Sequence, residues 1–326
     1  MRKFLFATAI TLILSFIYSD ISFAVCGGGP TVFTCNTADP NPDPNGIQEA
    51  ANNADLQIDV LPGAGIDTTA ASNVAIDTGN GNNRITLNQA EVTALDDNGI
   101  DSRDGNDTIE VTDSTVRCDD DCIDTRNGND TITVIRSLIA SVDNNGIDAT
   151  GGNNKITVID SEVIGGPGTG NNYGINLSDG DDMLTISNSL VFGENTGGGI
   201  SRAILLKNGN DILRLETNAR VDGFIDCGDT SNSDEPSGTI IFAMDVPEEA
   251  LAFISSEIAA AGLPDGSITI NGLFYQWEDC EFLVSELNGV RNVRPIPTLS
   301  EWGLITMAGI LGLVGFIAIK RRKVAV

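Results

Sequence analysis

One motif recurs through the middle of the chain at an almost constant interval. Three nearly identical copies have Gly105, Gly128 and Gly152 in their turns, and Gly81 marks a similar copy before them. The successive glycines are 24, 23 and 24 residues apart. A fixed period of this length is typical of repeat proteins, in which each copy is too short to bury its own apolar residues and stacks on its neighbours.

Each copy places apolar residues at fixed distances from its turn glycine. One lies five residues before the glycine, and others lie four and six residues after it. Short alternating segments between Gly, Asn and Asp predict β-strands joined by tight turns. Stacked in register, they would form two interior ladders. The first ladder contains Ile47, Ile76, Ile100, Ile123, Ile147, Ile175 and Ile204. The second contains Ile85, Ile109, Ile132, Ile156, Leu184 and Leu213.

We therefore predict an all-β fold, a right-handed parallel β-helix of about 24-residue coils over residues 46–287. Longer periods predict projecting loops near 165–172 and 194–202. Three less regular segments are also assigned to the stack. They are Ile47, Asn52, Leu56 and Ile58 at its start, and Ile240 with Phe242 and Ile268 with Ile270 near its end.

The segment after the repeats has helical character. Pro247 and two following glutamates are typical of a helix start, and Gly262 marks its end. We predict a helix near 247–261 that covers the open strand edges of the last coils. Residues 288–295 are predicted to form a linker.

The N-terminus has the pattern of a secretory signal peptide. A basic start, an apolar run and small residues before Val25 predict residues 1–24 as the cleaved signal, with a membrane anchor as the alternative. Residues 25–45 then form a cysteine-containing N-terminal segment. Cys26 suggests a lipoprotein, but Val25 fits that processing poorly.

Export would place the six cysteines in an oxidising compartment. Spacing favours one of the fifteen possible connectivities. Zinc binding by Cys118 and Cys122 is a weaker alternative, since the chain contains no histidine. The favoured pairs are Cys26 with Cys35, Cys118 with Cys122, and Cys227 with Cys280.

The chain is strongly acidic, with a net charge of −28. This charge disfavours nucleic acid as a partner and favours calcium or a basic surface. Acids recur at two turn positions. Either they bind a row of calcium ions, or they bond turn backbone while their charge faces water. The calcium candidates are Asp107, Asp130, Asp182 and Asp211, with Asn83 and Asn154 in the same file. The second file is Asp77, Asp101, Asp124 and Asp148.

Two functions compete on this evidence. Parallel β-helices include polysaccharide lyases and hydrolases, and paired carboxylates could support calcium-dependent chemistry on a polysaccharide. Each candidate acid, however, lies in a repeated turn. We therefore favour a non-catalytic surface or matrix protein, an adhesin or structural spacer with a glycan or other surface ligand. The enzyme candidates are Asp179, Asp181 and Asp182, or Asp119, Asp120 and Asp121 with Arg117 and Arg126.

The C-terminus combines three features in order. A short motif precedes an uncharged apolar run at 302–319, and a basic cluster follows it. The run is long enough for a transmembrane helix, and the basic cluster is expected to stay cytoplasmic. The motif consists of Ile296, Pro297, Thr298, Leu299, Ser300, Glu301, Trp302 and Gly303.

This tail, residues 296–326, resembles the sorting signal of IPTL-CTERM proteins, which are relatives of the PEP-CTERM class. The resemblance is confined to the tail. It implies a Gram-negative exported protein whose tail is recognised and removed by an exosortase-type membrane peptidase. The protein would pass through the inner membrane and then reach the cell surface or the extracellular space.

Overall fold

A computed structural model describes residues 26–28, 30–36, 43–49, 51–69, 73–167, 172–194, 201–228, 237–289 and 292–295. The predicted signal peptide, membrane helix and sorting motif lie outside these ranges, as do parts of both predicted loops. No helix in the described ranges has the length and apolar character needed to cross a membrane.

The described residues form 29 short strands, one α-helix and one 3-10 turn, at Leu287–Gly289. In chain order the strands are β1 (Gly27–Gly28), β2 (Val32–Cys35), β3 (Ile47–Gln48), β4 (Gln57–Val60), β5 (Gly65–Asp67), β6 (Ile76–Asp77), β7 (Arg84–Asn88), β8 (Glu91–Ala94), β9 (Ile100–Asp101), β10 (Thr108–Thr112), β11 (Thr115–Cys118), β12 (Ile123–Asp124), β13 (Thr131–Ile135), β14 (Leu138–Ser141), β15 (Ile147–Asp148), β16 (Lys155–Ile159), β17 (Glu162–Ile164), β18 (Ile175–Asn176), β19 (Met183–Ser187), β20 (Leu190–Phe192), β21 (Arg202–Leu205), β22 (Ile212–Glu216), β23 (Arg220–Asp222), β24 (Phe224–Asp226), β25 (Ser237–Ala243), β26 (Gly266–Ile270), β27 (Leu273–Glu278), β28 (Cys280–Ser285) and β29 (Asn292–Pro295). The helix, α1, is Glu248–Ala260.

The fold is a parallel β-solenoid of about seven turns, as the repeat predicts. Each full coil contributes one strand to each of three sheets. Sheet A has the order β1-β2-β4-β7-β10-β13-β16-β19-β22-β25-β28-β29. Sheet B has the order β23-β20-β17-β14-β11-β8-β5. Sheet C has the order β26-β27-β24-β21-β18-β15-β12-β9-β6-β3.

The two predicted interior ladders form the core. Ile109 pairs in register with Ile85 and Ile132, and Ile123 pairs with Ile100 and Ile147. All six side chains are completely buried. Alternation in each strand places every second residue inside, so stacking of identical coils gives a continuous apolar column. The first ladder also continues past the predicted residues, through Ile225 to Trp277.

Two of the three irregular segments at the ends of the stack differ from the prediction. Ile58 pairs with Ile85, whereas the sequence pattern had aligned Leu56 with it. The first coil is therefore two residues longer before its strand. Ile240 does continue the stack beside Leu213. The assignment of Ile268 and Ile270 to a parallel coil was wrong, because β26 pairs antiparallel with β27.

The C-terminal end of the solenoid is closed by α1 and two antiparallel pairs. The predicted helix is present and contacts β26 and β28. Ile258 is buried, and Leu251 and Ile254 pack against the core. Residues 292–295, predicted as part of a linker, instead form β29 against β28. This cap covers part of the apolar interior that the last coil would otherwise expose.

Three disulfides form with the pairing that spacing favoured. Cys26–Cys35 joins β1 to β2 at the N-terminal end, and Cys227–Cys280 ties the last coil to β28. Cys118–Cys122 bridges the corner between β11 and β12. The covalent links therefore lie at both ends and at one internal corner.

Removing the Cys118–Cys122 bridge is expected to lower the free energy of unfolding by about 2 kcal/mol, because it closes a short loop and constrains the unfolded chain modestly. The Cys118→Ala/Cys122→Ala variant should show this loss in urea unfolding without reductant. Reductant should then destabilise the variant less than the wild type. Equal stability of the two oxidised proteins would show that the bridge does not constrain this chain.

Candidate functional site

The repeated acids lie in the turns that precede the sheet A strands. The turn glycine allows a backbone conformation that other residues rarely adopt, with φ of 150° at Gly105 and 155° at Gly128. The side chains of the two residues after each glycine lie in different environments. The first is exposed on the turn, and the second is buried beneath it.

The buried positions form a hydrogen-bonded column, which we call the inner turn ladder. Each side-chain Oδ1 accepts the backbone N–H of the equivalent residue in the preceding coil. Asp107 accepts from Asn83 at 2.7 Å, and Asp130 accepts from Asp107 at 2.7 Å. The column continues through Asn154, Asp182 and Asp211 at 2.6 to 2.9 Å. These side chains therefore join coils to one another.

The second oxygen of each aspartate in the inner turn ladder is buried and has no hydrogen-bond partner. Burial raises the pKa of Asp107, Asp182 and Asp211 to about 7, and that of Asp130 to about 6. The interpretation that these charges face water was wrong, because the side chains are only 1% to 2% exposed.

Two coils have asparagine at this position, and the bonds of the asparagine Nδ2 atom show which groups surround it. Asn83 donates from Nδ2 to the carbonyl oxygens of Gly79 and Gly81, at 3.2 and 3.1 Å. Asn154 donates to Ala149 and Gly152 in the same way. This position therefore offers backbone acceptors to an amide donor, and a protonated carboxyl group is able to donate in the same way.

The exposed positions form a second column, the outer turn ladder, with the opposite direction of bonding. Here each side chain accepts the backbone N–H of the following coil. Asn106 accepts from Asn129 at 2.8 Å, and Asp181 accepts from Asn210 at 2.9 Å. Asp179, another enzyme candidate, accepts from Asn208 Nδ2 at 2.8 Å. The candidate triad of Asp179, Asp181 and Asp182 is thus already used in bonds between coils.

The second acidic file lies in sheet C and is partly neutralised by arginine. Arg103 donates two hydrogen bonds to Asp77, both at 2.7 Å, and Arg126 donates to Asp101 at 2.5 Å. Asp101 and Asp124 also accept the N–H of the residue two positions on, so they stabilise their own turns. The local-backbone interpretation of this file therefore holds at both residues.

Asp148, the last residue of this file, is hydrogen-bonded by asparagines. It accepts from Asn145 and Asn176 at 3.2 and 3.1 Å. Burial, followed by the charges of Asp121 and Asp124, raises the pKa of Asp148 to about 8. Asp148 is therefore close to the carboxylates of Asp121 and Asp124, which lie beside Cys122 of the Cys118–Cys122 bridge in the chain.

The Asp119 to Asp121 segment also serves the corner. Asp121 Oδ1 accepts the backbone N–H of Asn145 at 3.0 Å, and Asp120 accepts from Asn144 Nδ2 at 2.6 Å. Burial raises the pKa of Asp121 to about 7. Arg126 is directed to Asp101, while Arg117 is exposed. These enzyme candidates therefore make separate contacts and do not converge on one site.

The four calcium candidates lie in one column, as the repeat predicted, but each is in a different coil. Across the described ranges, no group of three or more Asp, Glu or Cys side chains could hold a metal ion. Calcium prefers six to eight oxygen ligands. Calcium binding at Asp107, Asp130, Asp182 and Asp211 stays a prediction.

The sequence analysis missed a surface feature at the corner between sheets A and B. At this corner six successive coils each have one residue with positive φ that is not glycine, followed by a buried Ser or Ala. The only sequence signal is that Ser or Ala before each sheet B strand. We call the exposed residues the corner row. They are Gln89, Asp113, Arg136, Asp160, Asn188 and Asn218.

The fold and the bonded turn residues together show that the protein is an acidic parallel β-solenoid linked by disulfides. A family model described as IPTL-CTERM motif matches residues 294–322, so the chain carries a C-terminal sorting signal of this type. The signal indicates an exported protein of the cell envelope or surface. No curated protein and no solved structure matches the chain.

Proposed function

We propose that the protein is a non-catalytic component of the cell surface or extracellular matrix, acting as an adhesin or structural spacer. The observation that carries this proposal is the sorting signal at 294–322, which begins within the last strand of the solenoid. The function is presentation of a stiff rod beyond the membrane.

The bonding of the repeated carboxylates supports a structural role over catalysis. Asp107 and Asp182 each accept a backbone N–H from the neighbouring coil, and Arg126 and Asp101 form an ion pair. Groups that hold coils together are less free to act on a substrate. The alternative, a calcium-dependent lyase or hydrolase, would need carboxylates that converge on one point.

The proposed route begins with a signal peptide at 1–24 and an inner-membrane intermediate held by a helix at 302–319. An exosortase-type peptidase then recognises the motif at 296–303 and removes the tail. The solenoid requires no cofactor in this proposal, and bound calcium would serve only to add stability.

Pro297→Ala is expected to block tail removal, because it alters the short motif that the peptidase would recognise. Intact mass and cell fractionation of an internally tagged protein test this. The wild type should lose its tail and appear at the surface or in the medium, while the variant keeps the tail and stays in the inner membrane. Pro247→Ala, an exposed proline at the start of α1, is the matched control and should behave as the wild type.

If the wild type also keeps its tail and stays in the inner membrane, the proposal of surface delivery is wrong. The protein would then be an anchored domain that faces the periplasm.

A further inference from the structure

An open groove follows the corner between sheets A and B. It has a volume of about 560 Å³ and crosses five successive coils. With about 4.8 Å between coils, five coils span roughly 20 Å. The groove is therefore elongated along the solenoid axis, which suits a linear polymer better than a compact ligand. We call it the corner groove.

One wall of the corner groove is the corner row from Asp113 to Asn218. The backbone holds these residues in the left-handed region, with φ of 47° at Asn188 and 55° at Asn218. Their side chains are also bonded along the row. Arg136 donates to Asp113 at 2.6 Å, Asn188 donates to Asp160 at 2.5 Å, and Asn218 donates to Asn188 at 3.3 Å. The wall is thus ordered before any ligand binds.

The lining offers both donors and acceptors at close intervals. Carboxylates, amides and guanidinium groups alternate with the apolar side chains of Leu138 and Leu190. Arg136 is already paired with Asp113, and Arg220 with Asp222. A polyanion would therefore gain little from either arginine. Hydroxyl groups, which donate and accept, match this lining well.

A second cavity, of about 330 Å³, continues from the same end. Arg220 lines both cavities, and Leu273 and Phe274 also line the second one. Phe274 is 55% exposed, although it is a large apolar side chain. An exposed aromatic face in a cavity that adjoins a polar groove can pack against the C–H face of a sugar ring.

We propose that the corner groove binds a linear neutral glycan, which lies along the solenoid axis and contacts the corner-row residues of successive coils from Asp113 to Asn218. This inference rests on the proposed surface function, for which it names the class of ligand. The site uses solenoid side chains alone, so it can be tested apart from sorting.

The test uses the purified full-length protein and isothermal titration with neutral oligosaccharides: cellohexaose, xylohexaose, mannohexaose and chitohexaose. At least one should bind. Asn188→Gly/Asn218→Gly should weaken its binding about tenfold or more, because each amide loses its hydrogen bonds to the ligand. Glycine keeps the left-handed backbone that both positions need.

Gln89→Gly is the matched control. Gln89 has φ of 48° in the same corner row but does not line the groove. Its binding should stay within about twofold of the wild type, since no ligand contact is lost. Thermal unfolding of all three proteins shows whether the fold is intact.

Three outcomes would overturn the inference: no binding of any neutral oligosaccharide, equal binding by the double variant, or tighter binding of hexagalacturonate or of an extended peptide. None of these outcomes bears on tail processing, which the Pro297→Ala experiment measures. Binding without surface delivery would leave the groove assigned and refute only the delivery route.

Discussion

Gly128→Ala is expected to lower the free energy of unfolding by at least about 4 kcal/mol, the range of severe core defects. The added Cβ would overlap the carbonyl oxygen of Gly105 in the preceding coil. Gly105 meets Gly81 in the same way, and Gly209 meets Gly180. The glycine column therefore allows adjacent coils to approach to hydrogen-bonding distance, and backbone cannot move aside without breaking the ladders.

The matched control is Gly272→Ala in the turn between β26 and β27. Gly272 also has a left-handed backbone, with φ of 79°, but its Cβ would meet nothing within 4 Å. Its loss should be about 1 to 2 kcal/mol, the cost of that conformation alone. Urea unfolding of both variants gives the comparison. Similar losses in the two proteins would contradict the close stacking of the glycine column.

Asp182→Asn is expected to stabilise the protein at pH 8 and to leave its stability nearly unchanged at pH 4. Burial raises the pKa of Asp182 to about 7 from an ordinary value of 3.8. Between about pH 4 and pH 7 the folded protein keeps a proton that the unfolded chain has lost. The free energy of unfolding of the wild type therefore falls as pH rises through this window.

The gain at pH 8 has an upper bound on the order of 4 kcal/mol, which follows from the size of the pKa difference. Asparagine fits because Asn154, one coil earlier, already donates from the equivalent Nδ2 to turn carbonyls. By analogy with Asn154, we expect Nδ2 of the variant to donate to the carbonyl oxygens of Leu177 and Gly180. The substitution replaces a buried carboxylate with a neutral amide that has a permanent donor.

Asp181→Asn is the control. It removes the same charge one residue away, on the exposed outer turn ladder. Its effect should stay within about 0.5 kcal/mol at every pH. Urea unfolding from pH 4 to pH 8 measures all three proteins. A variant that loses stability at pH 8 would show that the ionised carboxylate is the native form.

Added calcium gives a further comparison between the melting temperatures of the wild type and of Asp182→Asn. If it raises the melting temperature of the wild type but not of Asp182→Asn, the carboxylate is a metal ligand and the protonated interpretation is wrong. If metal removal by EDTA changes neither protein, calcium binding at the four candidate aspartates is refuted.

The sequence predicted the repeated part of the fold well because its information is local and periodic. A glycine every 24 or so residues sets the turn, and alternation around Ile109 or Ile132 sets which face is buried. Six copies with the same offsets leave one register for stacking. The interior ladders and the three strands per coil follow from that regularity, whereas the disulfide pairs follow from the spacing of the cysteines.

The prediction from the sequence failed at the two ends of the solenoid, where the repeat pattern no longer determines how strands pair. The first coil has two extra residues before Ile58, and Ile268 lies in an antiparallel pair. Both segments have the right apolar residues. The pairing of these segments depends on which strand edge remains open at the end of the stack. The open edge is a property of the assembled solenoid.

The sequence alone thus determined the coil, its turns and the signal at the C-terminus, because each is encoded in contiguous residues. Only the tertiary structure decided the burial and the bonding of the repeated aspartates and the existence of the corner groove. Asp107 meets the backbone of Asn83 across 24 positions of chain, and Asn188 meets Asp160 across 28. Hydrogen bonding and burial across coils appear only once the coils are stacked, and these contacts set the expected protonation of the aspartates and the lining of the groove.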